Sequence, residues 1–340
     1  MPTIKDVARE AGVSVATVSY VLNNKPAGVS EQTRQRVLDA VERLGYTRNI
    51  TARNLRSNET RLIGYAFMDS PNPRPNTILE HFAFHLAREA SAAGYHLLTF
   101  TYPHDDPVPV YDELIRTGRV DAFILASTEQ NDPRIHHLIE RQFPFVSFGQ
   151  AAPNWDFNWV DTDGQLGVHK AVDYLIRLGH RQIAMVTWPE DSLTGNLRLA
   201  GYLQALQDAH IPPDPAYIIR AEYGEAVGQL VFDQMACLPA SRQPTAFVTV
   251  SDMTAISLMS EAERRGLVVG KTVSVIGFDD EPMSRYLRPS LTSLRQPIQE
   301  ISYELIDIVG EILSGRTTET RQLLMPPELM VRESTGPLAQ

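Results

Sequence analysis

Polar residues follow several strand-like segments of this chain, and their types suit a ligand that carries many hydroxyl groups. In an open parallel α/β sheet, ligands bind beyond the carboxyl ends of the strands. Arg198 and Asp279 can each form two charge-assisted hydrogen bonds to adjacent hydroxyls, such as those of a sugar. The other polar or backbone candidates at such positions are Asp69, Ser70, Gly149, Ser251, Asp252 and Gln296.

Four aromatic residues could offer flat apolar faces to a sugar ring: Phe82, Trp188, Tyr223 and Phe278. Large aromatic side chains are, however, more often part of a core than of a ligand platform. Arg198 and Asp279 could instead form a salt bridge with each other between two lobes of the protein. Asp280 could simply cap the turn that follows it. The residues alone do not decide between ligand binding and these structural roles.

The motifs of common enzymes are not found in the sequence. The sequence has nine histidines and 41 acidic residues, but it contains no P-loop, no G-x-S-x-G and no H-E-x-x-H motif. His136 and His137 are adjacent, so on a helix they point to different faces and do not readily chelate one ion. Cys237 is the only cysteine, which excludes an internal disulfide framework. We therefore predict no catalytic activity, no cofactor and no metal site.

The stretch from Thr3 to Asn24 predicts two short helices joined by a tight turn. Thr3 with Asp6 forms a short capping box, Gly12 suits a left-handed position, and Ser14 can cap the second helix. Apolar residues at helical spacing are predicted to face inward: Ile4, Val7, Ala8 and Ala11, then Val15, Val18, Val21 and Leu22. The pattern fits a helix-turn-helix, although an ordinary helical hairpin would look similar.

A third helix is predicted to open at Val29–Glu31 and to run to Leu44, with Val37, Leu38 and Val41 completing a small core. A basic segment from Arg48 to Arg56 follows it. Residues 1–60 carry nine Lys/Arg and six Asp/Glu, a net charge of +3, which leaves −13 for the rest of a chain whose total is −10. A basic head on an acidic body confines attraction for phosphate groups to one end.

From Arg61 onward, strand-like and helical segments alternate, which predicts parallel sheets with helices on both faces. The pattern restarts after Asp161, so we expect an α/β core of two lobes with a cleft between them. No run of 18 apolar residues occurs, and Met1-Pro2-Thr3 leads directly into a capped helix. We therefore expect a cytoplasmic protein without a membrane partner.

Three stretches resemble the DNA-binding head and hinge of LacI/GalR-type transcription regulators: I-K-D-V-A-R-E-A-G-V-S-V-A-T-V-S-Y-V-L-N, V-S-E-Q-T-R-Q-R-V-L-D-A-V-E-R-L-G-Y and N-I-T-A-R-N-L-R. G-H-R-Q-I-A-M-V and S-V-I-G-F-D-D-E resemble the family's core. The resemblance implies a helix-turn-helix head (1–46), a hinge helix and linker (47–60) and a two-lobed, periplasmic-binding-protein-like core. We expect an N-lobe of 61–161 and 292–321, and a C-lobe of 162–291 and 322–340, with crossings near 161, 291 and 321.

The same resemblance implies which residues contact DNA. Val15, Ala16 and Tyr20 would read bases in the major groove, where the first two can touch only thymine methyls. Tyr20 stands where an arginine is common in the family, so a simple guanine contact is not expected. Expected phosphate contacts are Thr3, Ser14, Thr17, Ser19 and Asn23. Expected hinge contacts are Asn49, Ala52 and Leu55, with Leu55 as a minor-groove wedge.

For the effector, the resemblance implies principal contacts from Arg198 and Asp279 and secondary ones from Ser251, Asp252 and Gln296. We expect a homodimer, since no leucine heptads end the chain. It would bind near-palindromic operator DNA under the control of a mono- or oligosaccharide. A purine-like corepressor is the main alternative, and a solute-binding protein for transport is a more distant one.

Overall fold

The computed structural model describes residues 2–22, 28–46, 59–69, 77–222, 224, 226–316 and 319–338. The chain divides into two compact units, Met1–Thr60 and Arg61–Gln340, and each is described by itself. Most of the predicted hinge at 47–60 and the proline-rich stretch at 70–76 lie outside the described residues.

The described part of the first unit contains three helices: α1 (Ile4–Ala11), α2 (Val15–Leu22) and α3 (Glu31–Leu44). The backbone N–H and the hydroxyl of Thr3 both donate to the carboxylate of Asp6, at 2.8 and 2.7 Å, which closes the start of α1. Gly12 and Gly45 end α1 and α3 in the left-handed conformation, with φ of 64° and 58°. Local capping chemistry therefore sets these helix ends as predicted.

The core of the first unit differs from the prediction at two apolar positions. Val15 is 42% exposed and Leu38 is 41% exposed. Val13, in the turn before α2, packs against the core where Val15 was expected. On α3 the buried face includes Val37 and Ala40, and Leu38 lies one helical step away from it. The fully buried members of this core are Val7, Ala8, Ala11, Val18, Val21, Val37 and Ala40.

The second unit contains two six-stranded sheets, each the centre of one lobe. Its strands are β1 (Leu62–Asp69), β2 (His96–Pro103), β3 (Ala122–Leu125), β4 (Phe145–Phe148), β5 (Trp159–Thr162), β6 (Ile183–Thr187), β7 (Ile218–Arg220), β8 (Ala246–Thr249), β9 (Ser274–Asp279), β10 (Thr292–Arg295), β11 (Gln322–Met325) and β12 (Glu328–Met330). The strand orders are β11-β5-β4-β3-β1-β2 and β12-β10-β9-β8-β6-β7. Every pairing is parallel except that of β10 with β12.

Helices cover both faces of each sheet, as the alternating pattern predicted. They are α4 (Thr77–Ala92), α5 (Val108–Arg116), α6 (Pro133–Arg141), α7 (Gly164–Arg177), α8 (Leu193–Asp208), α9 (Val227–Ala236), α10 (Asp252–Arg264) and α11 (Ile298–Ser314). Short 3₁₀ turns occur at Pro215–Tyr217, Ala240–Arg242 and Pro282–Arg285. Two apolar clusters lie in each lobe, so the strands are buried between layers of helices.

The chain crosses between the lobes three times, and two of the predicted crossings are wrong by about five residues. β10 pairs with β9 of the second sheet, so the chain leaves that lobe after Arg295 and not near 291. β11 pairs with β5 of the first sheet, so the return follows Met325 and not 321. Both strands have only four residues, and their patterns do not show which sheet they join. β7 was not predicted, and it forms the edge of the second sheet.

Candidate functional site

A buried arginine lies beyond the carboxyl end of the second sheet. Arg198, on α8, is only 5% exposed, and its guanidinium carbon lies 3.5 Å from the ring centroid of Phe278 and 5.2 Å from that of Trp188. Nη1 donates to the carbonyl oxygen of Val250. The buried Nε atom has no hydrogen-bond partner in the described structure. A buried donor without a partner is costly, so this nitrogen is left unsatisfied at a cost in free energy.

The first turn of α8 and its packing on α7 hold Arg198 in place. Ser192 caps α8 by accepting from the N–H of Gly195 at 3.1 Å, and the Thr187 hydroxyl, at the end of β6, donates to the Gly195 carbonyl at 3.0 Å. Gly201 lies against α7 so closely that an added Cβ would be 2.1 Å from the carbonyl oxygen of Gln165. Only glycine fits there, and the two helices are therefore packed tightly beside the arginine.

A chain of hydrogen bonds joins the two lobes next to this arginine. Gln296, in the crossing after β10, donates through Nε2 to Asp279 Oδ1 at 2.6 Å. Its Oε1 accepts from the hydroxyl of Thr162, the last residue of β5, at 2.6 Å. Asp279 is buried at the end of β9, and its φ of 116° is unusual for a residue with a side chain. A C-lobe carboxylate is thus tied to the N-lobe sheet through one amide.

Asp161 adds a second carboxylate, which the sequence analysis did not select. Gln150 donates to it through Nε2 at 3.1 Å, and the N–H of Thr162 donates at 2.8 Å. Burial raises the pKa of Asp161 to about 6, and Arg198 acts in the opposite direction. The general rule that ligands bind at the carboxyl ends of strands could have identified both Asp161 and Thr162, because they end β5.

Within the described residues, Arg198 does not form a closed ion pair with a neighbouring carboxylate. No carboxylate oxygen of the described residues forms an ion pair with Arg198 within 4.0 Å, so the alternative salt bridge with Asp279 is not formed. Burial lowers the pKa of Arg198, while Asp279 and Asp161 raise it. Burial also raises the pKa of Asp279 well above its usual range, and Arg198 lowers it. The charge of Arg198 therefore interacts with those of Asp279 and Asp161, although Arg198 forms no ion pair with either carboxylate.

Two of the predicted ligand contacts, Ser251 and Asp252, form hydrogen bonds within the protein. Ser251 caps α10 by accepting from the N–H of Thr254 at 3.2 Å. Asp252 accepts from the N–H of Glu281 at 2.8 Å and from the hydroxyl of Ser284 at 2.5 Å, and also from the hydroxyl of Ser293. These bonds hold the segment between β9 and β10 against α10. Each oxygen of Asp252 therefore has a protein donor.

Asp280 has a structural role that is different from the predicted turn cap. Its carboxylate accepts from Arg295 Nε at 2.8 Å and from Arg332 Nη2 at 2.5 Å. Both arginines come from the last part of the chain, beside β10 and β12. Asp280 therefore fixes the edge of the second sheet next to the site, and each of its carboxylate oxygens has a protein donor.

The aromatic candidates also divide into core and site residues. Phe82 is fully buried, and its ring centroid lies 5.7 Å from that of Tyr65 and 4.8 Å from that of Phe148, so it is a core residue. Phe278 is fully buried under the Arg198 guanidinium, which it supports from below. Trp188 is half-buried, and the Arg198 guanidinium lies over its ring.

The remaining candidates lie at the edge of the site or outside the described residues. Asp69 ends β1 and is exposed. Gly149 has a φ of 113°, and a Cβ there would lie 2.4 Å from the hydroxyl of Thr128, so this position requires glycine. Ser70 and Tyr223 lie outside the described residues. Loops from both lobes also line a polar cleft of about 480 Å³, between residues 128–131 and 191–193.

The first unit presents a second candidate surface on α2. Val15, Ala16 and Tyr20 are exposed, the last at 44%. The hydroxyl of Ser14 accepts from the N–H of Thr17 at 3.1 Å, so it caps α2 as predicted. Thr17 and Ser19 are half-buried on the same helix. Asn23, Asn49, Ala52 and Leu55 were also predicted to contact DNA and lie outside the described residues.

These features define a class of protein. A helix-turn-helix unit with an exposed second helix is a DNA-reading element. A two-lobed core of parallel sheets with polar groups beyond the strand ends is a small-molecule-binding element. Within the described residues, no helix has the length and apolar character needed to span a membrane. One chain with both elements has the architecture of a regulator of transcription.

Comparisons with known proteins agree with this class. The family model described as bacterial regulatory proteins, lacI family, matches residues 3–49, and a periplasmic binding protein-like domain matches residues 172–335. The chain is 33% identical over 342 residues to the HTH-type transcriptional repressor CytR of Escherichia coli K12, covering 99% of this chain and 97% of that protein. This chain therefore belongs to the LacI family, and it is a DNA-binding transcriptional repressor of that family.

Two solved structures resemble the chain over nearly its whole length. One is the lac repressor dimer bound to operator and the anti-inducer ONPF, with a TM-score of 0.81, 27% identity and 99% of each chain covered. The other is a complex of the transcriptional regulator CelR with cellobiose, with a TM-score of 0.72, 26% identity, and 98% of this chain and 100% of that chain covered. These relatives are transcriptional regulators, a class that is generally not enzymatic.

Proposed function

We propose that a sugar bound at Arg198 and Asp279, between the two lobes, controls the affinity of this repressor for its operator. The observation that carries the proposal is the buried Nε of Arg198, which has no partner, on a guanidinium placed between Phe278 and Trp188. A sugar hydroxyl would satisfy that donor, and the neighbouring carboxylate of Asp279 would accept from a second hydroxyl.

The polar groups favour a sugar over a purine. Asp279 accepts from Gln296 through one oxygen only, so its second oxygen can accept from a hydroxyl beside the Arg198 cation, which suits a neutral ring with hydroxyls. A purine would gain most from stacking between two aromatic faces. Of the described aromatic candidates, only Trp188 has an accessible face, because Phe82 and Phe278 are fully buried. The cellobiose complex of the relative CelR supports the same ligand class.

The bridge between the lobes suggests how binding could change operator affinity. Thr162, Gln296 and Asp279 join the first sheet to the second, so a ligand that replaces or strengthens these bonds favours one arrangement of the lobes. A coupling of about 1–3 kcal/mol would change operator affinity on the order of 5–150-fold. We propose a homodimer on a near-palindromic operator, in analogy to the lac repressor dimer.

The test is a thermal-shift panel of mono- and disaccharides, sugar phosphates and purine bases with the purified full chain. A ligand at 100 times its Kd stabilises the folded state by about 2.7 kcal/mol, which is readily measured. Operator binding is then measured by fluorescence anisotropy with and without each hit. A sugar that shifts both the Tm and the operator affinity supports the proposal. The proposal is contradicted if a purine is the one effective compound. It is also contradicted if a sugar raises the Tm of Arg198→Met as much as that of the wild type.

A further inference from the structure

Two histidines on α4 place two ring nitrogens side by side. His81 and His85 are separated by four residues, one helical turn, so their side chains lie on the same face. Their Nε2 atoms share a hydrogen bond of 3.0 Å, so a cation bound by both nitrogens would replace the shared proton, and their ring centroids are 4.6 Å apart at an interplanar angle of 71°. His81 is exposed and His85 is half-buried, so the pair faces solvent.

The distance between the two nitrogens determines which coordination geometry they fit. With metal–nitrogen bonds of about 2.0–2.1 Å, donors 3.0 Å apart subtend an angle of roughly 91–97° at the metal. That is the angle between neighbouring positions of a square-planar or octahedral centre, whereas a tetrahedral centre needs donors farther apart. Imidazole ligands in such geometry are typical of Cu²⁺ and Ni²⁺.

We propose that His81 and His85 bind one square-planar or octahedral first-row cation, Cu²⁺ or Ni²⁺, through their two Nε2 atoms. Two histidines at i and i+4 on one helix face are a known spacing for metal chelation. Among the described residues, no group of three or more His, Cys, Asp or Glu is arranged for a metal. The cation therefore completes its coordination with water or with donors from a second copy of the chain.

Charged residues of α4 and of a neighbouring helix lie around the histidine pair. The pKa of His85 is lowered by partial burial first, and then by His81 and Arg88. Glu300, on the neighbouring helix α11, acts on His85 in the opposite sense and supplies negative charge near the site. Arg88 is engaged by Glu89, whose carboxylate accepts from it at 2.9 and 3.1 Å.

Other histidines of the described chain already have protein partners. His169 Nε2 lies 2.9 Å from Asp208, and His180 bonds to Thr245 at 2.9 Å and to the carbonyl of Gly336 at 3.1 Å. His136 lies beside Glu140, 3.6 Å away, also at a spacing of four residues. His136 is therefore a matched control, because it is an exposed helical histidine whose neighbour is a carboxylate instead of a second imidazole.

The experiment is a calorimetric titration of Ni²⁺ into the full chain, with any polyhistidine tag removed and the protein first treated with EDTA. The wild type should bind one Ni²⁺ per chain, or one per two chains if a second copy completes the site. His81→Gln and His85→Gln should each weaken binding by about tenfold or more, which corresponds to about 1.4 kcal/mol. His136→Gln should bind as the wild type does.

Spectroscopy tests which atoms bind the cation, and a folding control separates the loss of binding from the loss of structure. With Cu²⁺, the electron paramagnetic resonance spectrum should show splitting from two nitrogens in the wild type and fewer in each Gln variant. All variants should have the wild-type Tm in EDTA, since the replaced side chains are exposed or half-buried. Equal Ni²⁺ affinity in wild type, His81→Gln and His85→Gln would overturn the site, as would the lack of a saturable heat in the wild type.

Discussion

The guanidinium of Arg198 lies over the ring of Phe278, 3.5 Å from its centroid, and makes no ion pair within 4.0 Å among the described residues. A cation on an aromatic face gains on the order of 0.5–2 kcal/mol. Removing a charge from water costs several kilocalories per mole when no partner offsets it. The unliganded core therefore holds this arginine at a cost to stability, and a bound ligand would relieve that cost.

We expect Arg198→Met to leave the Tm of the unliganded protein unchanged or to raise it, because replacement of a buried charge by an apolar side chain is often neutral or stabilising by about 1–4 kcal/mol. The same change should weaken sugar binding by on the order of 10–100-fold, through the loss of charge-assisted hydrogen bonds worth about 1.5–3 kcal/mol. Operator affinity without ligand should be kept. Thermal melts and anisotropy titrations measure all three.

Arg134 provides the control for this prediction. It is also buried, but it donates to Asp132 at 2.6 and 3.0 Å, to the Tyr102 hydroxyl at 2.7 Å and to the carbonyls of Ala126 and Ser127. Arg134→Met leaves these partners unsatisfied and should destabilise the core by about 3–5 kcal/mol. If Arg198→Met destabilises the protein as much as Arg134→Met does, Arg198 is a structural residue and the effector site is wrong.

The bridge between the lobes should behave as one unit. Gln296→Leu removes the amide that donates to the buried Asp279, and should lower the free energy of unfolding by about 1–3 kcal/mol. Thr162→Val removes only the hydroxyl that donates to Gln296, and should cost about 1 kcal/mol. In the double variant the two losses should be less than additive, with an interaction of about 0.5–3 kcal/mol. Urea unfolding measures this, and strict additivity would argue against a shared bridge.

Asp252 should make stability depend on pH. Its pKa is raised from 3.8 to about 7, chiefly by burial, while Ser284 and Ser293 lower it through hydrogen bonds. Between pH 4 and 7 the folded state therefore holds a proton that the unfolded state releases, so the contribution of Asp252 to stability falls as pH rises through this window. Above pH 7 both states are ionised and the contribution is level.

Asp252→Asn isolates this effect, because the amide does not titrate. The difference in Tm between the wild type and Asp252→Asn should be larger at pH 5 than at pH 7.5, with the wild type losing its advantage as pH rises. Melting curves of both proteins at pH 5, 6, 7 and 8 supply the comparison. Parallel profiles would mean that the three donors keep this carboxylate ionised throughout.

On α2 we expect Tyr20 to contribute to sequence discrimination. Tyr20→Ala should weaken binding to the preferred operator by about 1–3 kcal/mol and leave non-specific binding nearly unchanged, because Tyr20 carries no charge for phosphate contacts. Tyr20→Phe separates the ring from its hydroxyl. Leu38→Ala, on the exposed side of α3, is the control for an apolar surface residue of the same unit. Equal losses on operator and random DNA would exclude base reading by Tyr20.

The sequence by itself determined the local elements of this protein and the family it belongs to. Thr3, Gly12, Ser14 and Gly45 set helix ends through backbone chemistry that acts over a few residues. Hydrophobic periodicity likewise predicted the alternation of strands and helices in the core. It also placed Asp279 at the carboxyl end of a strand, because strand ends are visible in the pattern, whereas the effector role expected of Arg198 came from the family resemblance.

Only the tertiary structure decided which polar residues are left for a ligand. Asp252 and Asp280 follow strands in the same way as Asp279, but their oxygens are used by Ser284, Ser293 and two arginines. Those partners are distant in sequence, so no local pattern reports them. The same holds for β10 and β11, where four residues are too few to specify a sheet and the ladder of hydrogen bonds decides.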